Sequence, residues 1–328
     1  WFGGFLVGVL DACVVAGTTA APAQEVERVE IETLTLPDDQ FLPAGTEGGR
    51  PATIWGELRI PPGGSGPSPV VILAHGCGGV DDAIRAWIPP LNEAGVATMA
   101  LDSFGGRRIA NTCTGTSRIS AGSLLVDVFR TVERLATHPR VDGARIAVMG
   151  FSMGGRPALW SANLDIQRRF KRAGPELAAH LALYSAGCYF ELFGEARATS
   201  RPIRLLRGSA DDWTPVEACR EFVGRLRGAG ADIEMIEYPG AYHAFDSPAS
   251  GSRGVRHLPD AINVSRCRYV ENPPGVLRER SSGRPPGPGN PCQSRGVSIG
   301  YDPKAQAQAF ADVRRILTSV FKLREPAR

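Results

Sequence analysis

One short glycine-rich turn has the residue types that nucleophilic catalysis needs. An apolar segment at 145–149 leads directly into the Gly-Phe-Ser-Met-Gly-Gly sequence of residues 150–155, and a helical pattern follows at 156–162. A turn this tight from strand to helix crowds its neighbours, and glycine on either side of the serine removes the Cβ atoms that would clash. The start of the helix also directs N–H groups and a positive dipole end at the hydroxyl. We therefore predict that Ser152 is a nucleophile for acyl transfer.

A serine hydroxyl becomes a good nucleophile only when a base removes its proton, so this turn requires a histidine. In chains with such a turn, the order is serine, then acid, then histidine. Two of the five histidines precede Ser152, and a third begins a predicted strand at the wrong edge of the sheet; these are His75, His138 and His180. His257 lies in an irregular segment, whereas His243 directly follows a predicted strand at 233–238. We predict His243 as the base.

The acid that orients the histidine is expected at the end of the preceding strand. The predicted strand at 203–206 is followed by two neighbouring aspartates, Asp211 and Asp212. Either carboxylate fits the role by position. The other is then a turn residue or a cap for the helix that begins near Pro215.

Two backbone N–H groups are expected to hold the oxyanion of the reaction. The first belongs to Met153, which directly follows the serine. We assign the second to Cys77, in the His-Gly-Cys-Gly-Gly sequence at 75–79, which follows a buried strand. We expect His75 to order this loop through hydrogen bonds. The thiol of Cys77 is a poor rival nucleophile, because no strand-to-helix turn surrounds it.

The elements that must position these residues alternate along the chain. Continuous apolar runs typical of strands buried on both faces lie at 70–74, 96–101, 145–149, 181–184, 203–206 and 233–238, after two earlier strands at 26–36 and 52–60. Apolar residues at helical spacing lie between them and near the C-terminus, for example from Leu125 to Leu135 and from Phe310 to Phe321. This pattern predicts an α/β fold, a doubly wound and mostly parallel sheet with helices on both faces. Ligands bind such sheets beyond the carboxyl ends of the strands.

Residues 247–300 do not fit this alternation. They are rich in Gly, Pro, Ser and Arg without a clear period, so we expect an irregular insertion that serves as a lid, a binding loop or a disordered segment. Four aromatic residues are candidates for an apolar pocket: Phe104, Phe151, Trp213 and Tyr242. Arg107 and Arg108 are candidates for binding an anionic group, with a solvated surface pair as the alternative.

The composition excludes several classes of function. The chain has 328 residues, of which 43% are hydrophobic and 22% charged, with a net charge of +3, as in an ordinary globular protein. Its scattered Lys and Arg form no aromatic-interleaved basic patch, so we expect no nucleic-acid partner. No segment after the first residues has the roughly 18 apolar residues of a transmembrane span. Cys-x-x-Cys spacing is absent, and we predict neither a metal nor a cofactor.

The beginning of the chain and the cysteines point to export. Residues 1–23 are apolar and small and end in Ala-Pro-Ala, which is typical of a signal peptide; a buried helix, or a lipid anchor at Cys13, is the alternative. We therefore assign residues 24–328 to one catalytic domain and expect a periplasmic or secreted protein. Six cysteines remain in that domain, an even number that favours disulfides in an oxidising compartment, with buried free thiols as the alternative.

Four motifs in order give the chain a family resemblance over residues 26–323. They are the sequences at 75–79, 150–155, 208–215 and 238–246. They resemble those of the dienelactone hydrolase family within the α/β-hydrolase superfamily, whose acid lies four residues before a proline, and this implies Asp211. Founding members are cytoplasmic and use cysteine as nucleophile, whereas this chain has Ser152 and an apparent leader. Serine-containing relatives look like carboxylesterases, so the resemblance implies hydrolysis of small-molecule or polymeric esters.

Positions in the predicted sheet also motivate three cysteine pairs. Cys188 follows one strand and Cys219 lies in the helix after the next, so both fall near the carboxyl edge. The other expected pairs are Cys77 with Cys113 and Cys267 with Cys292.

Two other functions stay open at this point. Prolyl-type peptidases share the order of the triad but usually carry a further domain. A non-catalytic binding protein on the same fold typically lacks one member of the triad, and here all three are present in order. The oligomeric state is not predicted.

Overall fold

The computed structural model describes residues 1–3, 26–37, 45–62, 66–115, 119–192, 194, 196–250, 254–287 and 289–323. From residue 4 onward, the predicted leader with Cys13 lies outside the described residues. Within the described ranges, no helix combines the length and the apolar character that a membrane span requires.

Strands and helices alternate through most of the described chain. The strands β1 to β13 are Val26–Thr35, Arg50–Arg59, Ser68–Ala74, Ala97–Asp102, Val141–Phe151, His180–Leu183, Phe190–Glu191, Ile203–Gly208, Ile233–Tyr238, Arg256–Asn263, Tyr269–Glu271, Leu277–Glu279 and Ser294–Ile299. The α-helices α1 to α6 are Asp82–Glu93, Ala121–Ala136, Gly155–Trp160, Leu164–Phe170, Val216–Gly228 and Pro303–Phe321. The strands and helices predicted from apolar patterns are all present, with their ends shifted by a few residues.

The central sheet has eight strands in the order β1-β2-β4-β3-β5-β6-β8-β9. The pairs β1/β2 and β2/β4 are antiparallel, and all later neighbours are parallel. The predicted α/β fold with a mostly parallel sheet is therefore confirmed. Because β3, β5, β6, β8 and β9 point the same way, the loops that follow them meet at one edge.

Helices cover both faces of this sheet. In β3, Val70 and Ile72 pack with apolar residues of α2, whereas Val71 and Leu73 pack with residues of α1 and α6. All four side chains are 0% exposed. Burial on both faces explains why this strand is a continuous apolar run rather than an alternating one.

The segment 247–300 was expected to be irregular, and its described residues include four strands, β10 to β13, that the residue pattern did not predict. Strands β10 and β13 form an antiparallel two-stranded ribbon, and β11 pairs with β12 and with β7. The register of the ribbon shifts between Leu258 and Ile262. Pro259 and Gly296 lie within its strands, and many of its side chains face solvent, so the ribbon has no regular apolar period. We call β10 and β13 the ribbon below.

Three disulfides join the expected partners. They are Cys77–Cys113, Cys188–Cys219 and Cys267–Cys292, so all three predicted pairs are confirmed. Disulfides are rare in the reducing cytoplasm, and three in one chain are typical of an extracellular or periplasmic protein.

Candidate active site

Ser152 stands at the sharp turn between β5 and α3. Its φ is 52°, a left-handed conformation that is strained for a residue other than glycine and is often found at functional sites. A Cβ atom at Gly150 would lie 2.0 Å from the carbonyl oxygen of Gly154, and one at Gly154 would lie 2.1 Å from that of Ala74. Only glycine fits these two positions. The turn therefore holds the serine at the carboxyl edge of the sheet.

His243 lies in the loop after β9, with its ring against the serine. Its Nε2 is 3.0 Å from Ser152 Oγ, and the residue is 2% exposed. The ribbon fixes this loop: the N–H of Gly300 donates to the carbonyl of His243 at 3.2 Å, and Ile299 forms a β-bridge with His243.

Asp211 lies in the loop after β8 and meets the other ring nitrogen. Its Oδ2 is 2.9 Å from His243 Nδ1 and also accepts the hydroxyl of Thr214 at 2.8 Å. Its Oδ1 accepts the backbone N–H groups of Trp213 and Thr214 at 2.9 and 2.8 Å. Burial alone would raise the pKa of this carboxyl, but the contacts with His243, Arg207 and Thr214 hold the pKa below its usual value. An ionised Asp211 favours the Nδ1–H form of His243, which leaves Nε2 to accept from the serine.

The neighbouring aspartate, Asp212, contacts the ribbon rather than the histidine. Oδ1 of Asp212 accepts the backbone N–H of Ser298 in the ribbon at 2.8 Å. Next to it, Nε1 of Trp213 donates to the carbonyl of Ile262 at 2.9 Å. The geometry thus separates the two aspartates that the residues alone left open: Asp211 contacts the histidine, and Asp212 joins the acid loop to the ribbon.

A buried arginine supports the acid loop. Arg207, which is 0% exposed, donates to the carbonyls of Ser185 at 2.9 Å and of Thr214. Its guanidinium is 4.0 Å from Asp211 Oδ2. A buried charge is tolerated where it is paired, and here it also favours the ionised acid. The residue pattern did not indicate this role, because Arg207 follows an apolar run in β8 and its partners are brought together only by the fold.

The two expected oxyanion donors flank the serine. Cys77 lines the same cavity as Ser152 and His243, and Met153 is the next residue along the turn. The loop that carries Cys77 is ordered by His75, whose Nε2 accepts the N–H of Ser103 at 3.2 Å while Nδ1 contacts the carbonyl of Gly76 at 2.7 Å. Burial lowers the pKa of His75, which favours the neutral ring that can accept from Ser103. The expected ordering role of His75 is therefore confirmed.

Another serine and histidine pair lies in the core. Ser161 Oγ is 2.9 Å from His180 Nδ1, and both residues are 0% exposed. This pair is sealed from solvent and therefore from any substrate. His257 lies on the exposed side of the ribbon, and His138 pairs with Glu27 at 3.0 Å. Among the five histidines, His243 is the one that contacts Ser152.

A small cavity of about 150 Å³ opens at Ser152 and His243. Of the four expected aromatic residues, Phe151 and Trp213 line it. Phe104 packs against His75 instead, with ring centroids 4.4 Å apart, and Tyr242 is absent from its described lining.

Part of the remaining apolar wall comes from residues that the sequence did not indicate as site residues. Leu258 and Ile299 reach the cavity from the ribbon. Tyr184 follows β6, and its ring centroid lies 4.7 Å from that of His243. Its position at a strand end was an available signal.

A second buried carboxylate lies behind Tyr184. Asp246 accepts the Tyr184 hydroxyl at 2.8 Å and the Trp87 Nε1–H at 2.6 Å. Burial raises the pKa of Asp246 to about 6, although both hydrogen bonds oppose that rise. The pair fixes the tyrosine ring against the histidine.

Arg107 neither binds an anionic ligand nor forms a solvated pair with Arg108. Both terminal nitrogens of Arg107 donate to Asp127 at 2.8 Å, and the two side chains are 5% and 0% exposed. This is a buried ion pair under the edge of the sheet. Arg108 is exposed. The partner, Asp127, lies on an apolar helix face, so the sequence pattern did not indicate it.

Comparison with known proteins agrees with the fold. The sequence profile described as the dienelactone hydrolase family matches residues 56–321. A putative carboxymethylenebutenolidase of Yersinia pestis is 28% identical over 204 residues, which is 56% of this chain and 70% of that protein. A putative carboxymethylenebutenolidase of Methylorubrum extorquens is 23% identical over 224 residues, covering 58% and 72% of the two chains.

Solved structures share the architecture at low identity. A dienelactone hydrolase-like promiscuous phosphotriesterase from metagenomic libraries has a TM-score of 0.56 at 17% identity, over 90% of this chain and 98% of that one. Esterase 2 of Thermogutta terrifontis, phosphoramylated by tabun, has a TM-score of 0.54 at 12% identity, over 94% and 98%. At these identities the likeness concerns the fold.

Proposed function

Because the chain belongs to the dienelactone hydrolase family, we propose that it hydrolyses carboxylic esters through an acyl-enzyme on Ser152. The observation that carries the proposal is the unbroken chain of hydrogen bonds from Ser152 Oγ to His243 Nε2 at 3.0 Å, and from His243 Nδ1 to Asp211 Oδ2 at 2.9 Å. A serine, a histidine and a carboxylate in this arrangement are the parts that acyl transfer requires.

In the first half of the reaction, Ser152 Oγ attacks the ester carbonyl while His243 Nε2 takes the hydroxyl proton. Asp211 stabilises the imidazolium that forms. The N–H groups of Cys77 and Met153 hold the oxyanion. The intermediate then collapses: the bond from carbon to the alcohol oxygen breaks, and His243 returns its proton to that oxygen. An acyl-enzyme on Ser152 and a free alcohol are the products.

In the second half, water replaces the alcohol. His243 takes a proton from water, and the hydroxide oxygen attacks the acyl carbonyl. The bond to Ser152 Oγ breaks, and His243 reprotonates that oxygen. The acid leaves and the enzyme is regenerated, so this proposed reaction needs no oxidant, reductant or further reactant.

We also propose that residues 24–328 are the working enzyme and that it acts in the periplasm or outside the cell. The three disulfides support this location, since reducing compartments keep cysteine thiols reduced. The Cys77–Cys113 disulfide lies in the loop of the proposed oxyanion donor. We therefore expect its reduction to lower the esterase activity.

The test is hydrolysis of a panel of short aryl and alkyl esters by the purified full chain and by Ser152→Ala. We expect the wild-type chain to release acid and alcohol, and the variant to lose at least about 10³-fold in kcat, as expected for a missing nucleophile. Ser161→Ala is the matched control, because it removes the hydroxyl of the sealed serine and histidine pair. If Ser152→Ala kept the activity of the control, the mechanism would be wrong.

A further inference from the structure

We propose that Tyr184 and Trp213 are positioning residues of this site. Each places an aromatic ring against the imidazole of His243, and each ring is anchored in turn by a hydrogen bond from its own polar atom. This role rests on the proposed ester hydrolysis, in which His243 transfers protons in both halves of the reaction. Neither ring makes or breaks a bond in it.

The imidazole of His243 must keep one orientation while it works. Its Nδ1 has to face Asp211 and its Nε2 has to face Ser152, at 2.9 and 3.0 Å. The ribbon holds the backbone of His243 through the N–H of Gly300, but a held backbone still allows the ring to turn about its side-chain torsions. Once Ser152 carries an acyl group, its hydroxyl proton is gone and Nε2 loses this partner. Contacts with the ring itself are then needed to hold it.

Tyr184 supplies the first ring contact. Its ring centroid lies 4.7 Å from that of the imidazole, with the two planes 57° apart. Its hydroxyl donates to Oδ1 of Asp246 at 2.8 Å, and Oδ2 of the same carboxylate accepts Nε1–H of Trp87 in α1 at 2.6 Å. Tyr184 and Asp246 are both buried, so the tyrosine ring is fixed through the carboxylate to a helix.

Trp213 supplies the second ring contact, from the acid loop. Its ring centroid lies 4.8 Å from that of the imidazole, with the planes 43° apart. Its Nε1 donates to the carbonyl of Ile262 in the ribbon at 2.9 Å, while its backbone N–H donates to Oδ1 of Asp211 at 2.9 Å. One residue therefore contacts the histidine, bonds to the acid and is tied to the ribbon.

Aromatic rings suit this task better than aliphatic side chains. Their faces and edges carry opposite partial charges, so two neighbouring rings at this distance prefer particular relative orientations. A leucine in the same place fills much of the space without that preference. Replacing a ring by leucine thus removes the orienting contact while keeping an apolar wall.

Four variants test the rings. Tyr184→Leu and Trp213→Leu are each expected to lower kcat/KM about threefold to tenfold, which is what an aromatic contact is worth. Tyr184→Phe and Trp213→Phe keep an aromatic ring and lose only its anchor, so each is expected to fall between the wild type and its leucine variant. Trp213 is only partly buried, so Trp213→Leu keeps the test in force if Tyr184→Leu does not fold.

The chain offers a matched control for each phenylalanine variant. Tyr189 and Trp160 are 3% exposed, and within the described part of the chain neither the hydroxyl of Tyr189 nor the Nε1 of Trp160 has a hydrogen-bond partner. Tyr189→Phe and Trp160→Phe therefore make the same chemical changes without removing an anchor. We expect both to keep kcat/KM within about twofold of the wild type.

Both rings also line the cavity at Ser152, so contact with the substrate must be separated from positioning of the histidine. A ring that acts through His243 lowers kcat/KM by the same factor for every ester, whereas a ring that only contacts the substrate lowers it by a factor that depends on the ester. The panel is the methyl, butyl and phenyl esters of acetic and butyric acids, followed by proton release at constant pH. For each leucine variant we expect one factor, within about twofold, across the panel.

Proton NMR observes the histidine without any substrate. The Nδ1 proton between His243 and Asp211 gives a low-field signal only while its exchange with water is slow, which requires the bond to stay closed. We expect this signal in the wild type and in both phenylalanine controls, and a broadened or lost signal in the leucine variants.

Four results would overturn the positioning role while leaving ester hydrolysis in place. They are unchanged activity in both leucine variants, factors that differ widely among the esters, a low-field signal missing from the wild type or unaffected by either leucine, and phenylalanine variants that match their leucine variants. Phenylalanine variants as active as the wild type would overturn the role of the anchors. Absence of hydrolysis by the wild type across the panel would instead overturn the proposed function, and the positioning role with it.

Discussion

Asp211→Asn is the substitution whose effect follows most directly from the contacts of the site. The backbone N–H groups of Trp213 and Thr214 both donate to one oxygen of Asp211, Oδ1. An asparagine there keeps those bonds by placing its carbonyl oxygen at Oδ1, which puts its NH₂ group at the Oδ2 position, 2.9 Å from His243 Nδ1. An NH₂ group is a donor, so it favours His243 with a bare Nδ1 and a proton on Nε2. In that form the histidine no longer accepts the proton of Ser152.

The expected loss follows from this change of tautomer. The same replacement in other serine triads lowers kcat by about 10⁴-fold, equivalent to roughly 5 kcal/mol of transition-state stabilisation. We expect a loss of about 10³- to 10⁴-fold in kcat here. The midpoint of urea unfolding is expected to fall as well, because buried Arg207 loses the carboxylate that its charge faces. The assay is kcat and KM for a short aryl ester, beside the unfolding curve of each variant.

Asp212→Asn is the matched control, because Asp212 contacts the ribbon rather than the histidine. Its amide oxygen still accepts from Ser298, so we expect less than about a tenfold change in kcat. A loss below tenfold for Asp211→Asn, or a larger loss for Asp212→Asn, would refute the assignment of the acid.

Two further predictions concern buried charges away from the reacting atoms. Arg107→Ala leaves Asp127 buried and unpaired, so we expect the free energy of unfolding in urea to fall by roughly 3–5 kcal/mol. Arg108→Ala, at the exposed neighbour, should change it by less than about 0.5 kcal/mol; equal losses would contradict the buried ion pair. The second concerns Asp246, whose pKa rises by burial from 3.8 to about 6 on folding. Because the folded protein binds this proton more tightly, the wild-type free energy of unfolding loses roughly 3 kcal/mol from this group as pH rises from about 4 to 6. Asp246→Asn should lack that component in unfolding curves measured across this range, and an unchanged pH profile would contradict it.

Much of the fold was predictable because its signals are local. Strands such as β3 are buried on both faces and are therefore continuous apolar runs, and chain order left few histidines to consider for the base. The expected fold and cysteine pairs are confirmed. Ser152, Asp211 and His243 lie within hydrogen-bond distance of one another in series, while their catalytic roles stay a prediction.

The walls of the site were not predictable, because they depend on contacts between distant segments. Leu258 and Ile299 belong to a ribbon with a shifted register and mixed exposure, which leaves no apolar period in the sequence. The sequence around Arg107 is typical of an exposed loop, and its burial is seen only in the fold, where it pairs with Asp127. A sequence pattern indicates the face that an element buries, and the partner of a buried charge is a property of the fold.

The most direct test of the central claim is to identify the residue that carries the covalent intermediate. The full chain is treated with a fluorophosphonate, digested, and analysed by peptide mass spectrometry, beside Ser152→Ala and Ser161→Ala. We expect one label, on Ser152, with activity lost in proportion to labelling, no label in Ser152→Ala, and full labelling in Ser161→Ala. A label on another residue, or ester hydrolysis that persists while Ser152 is fully labelled, would contradict the account.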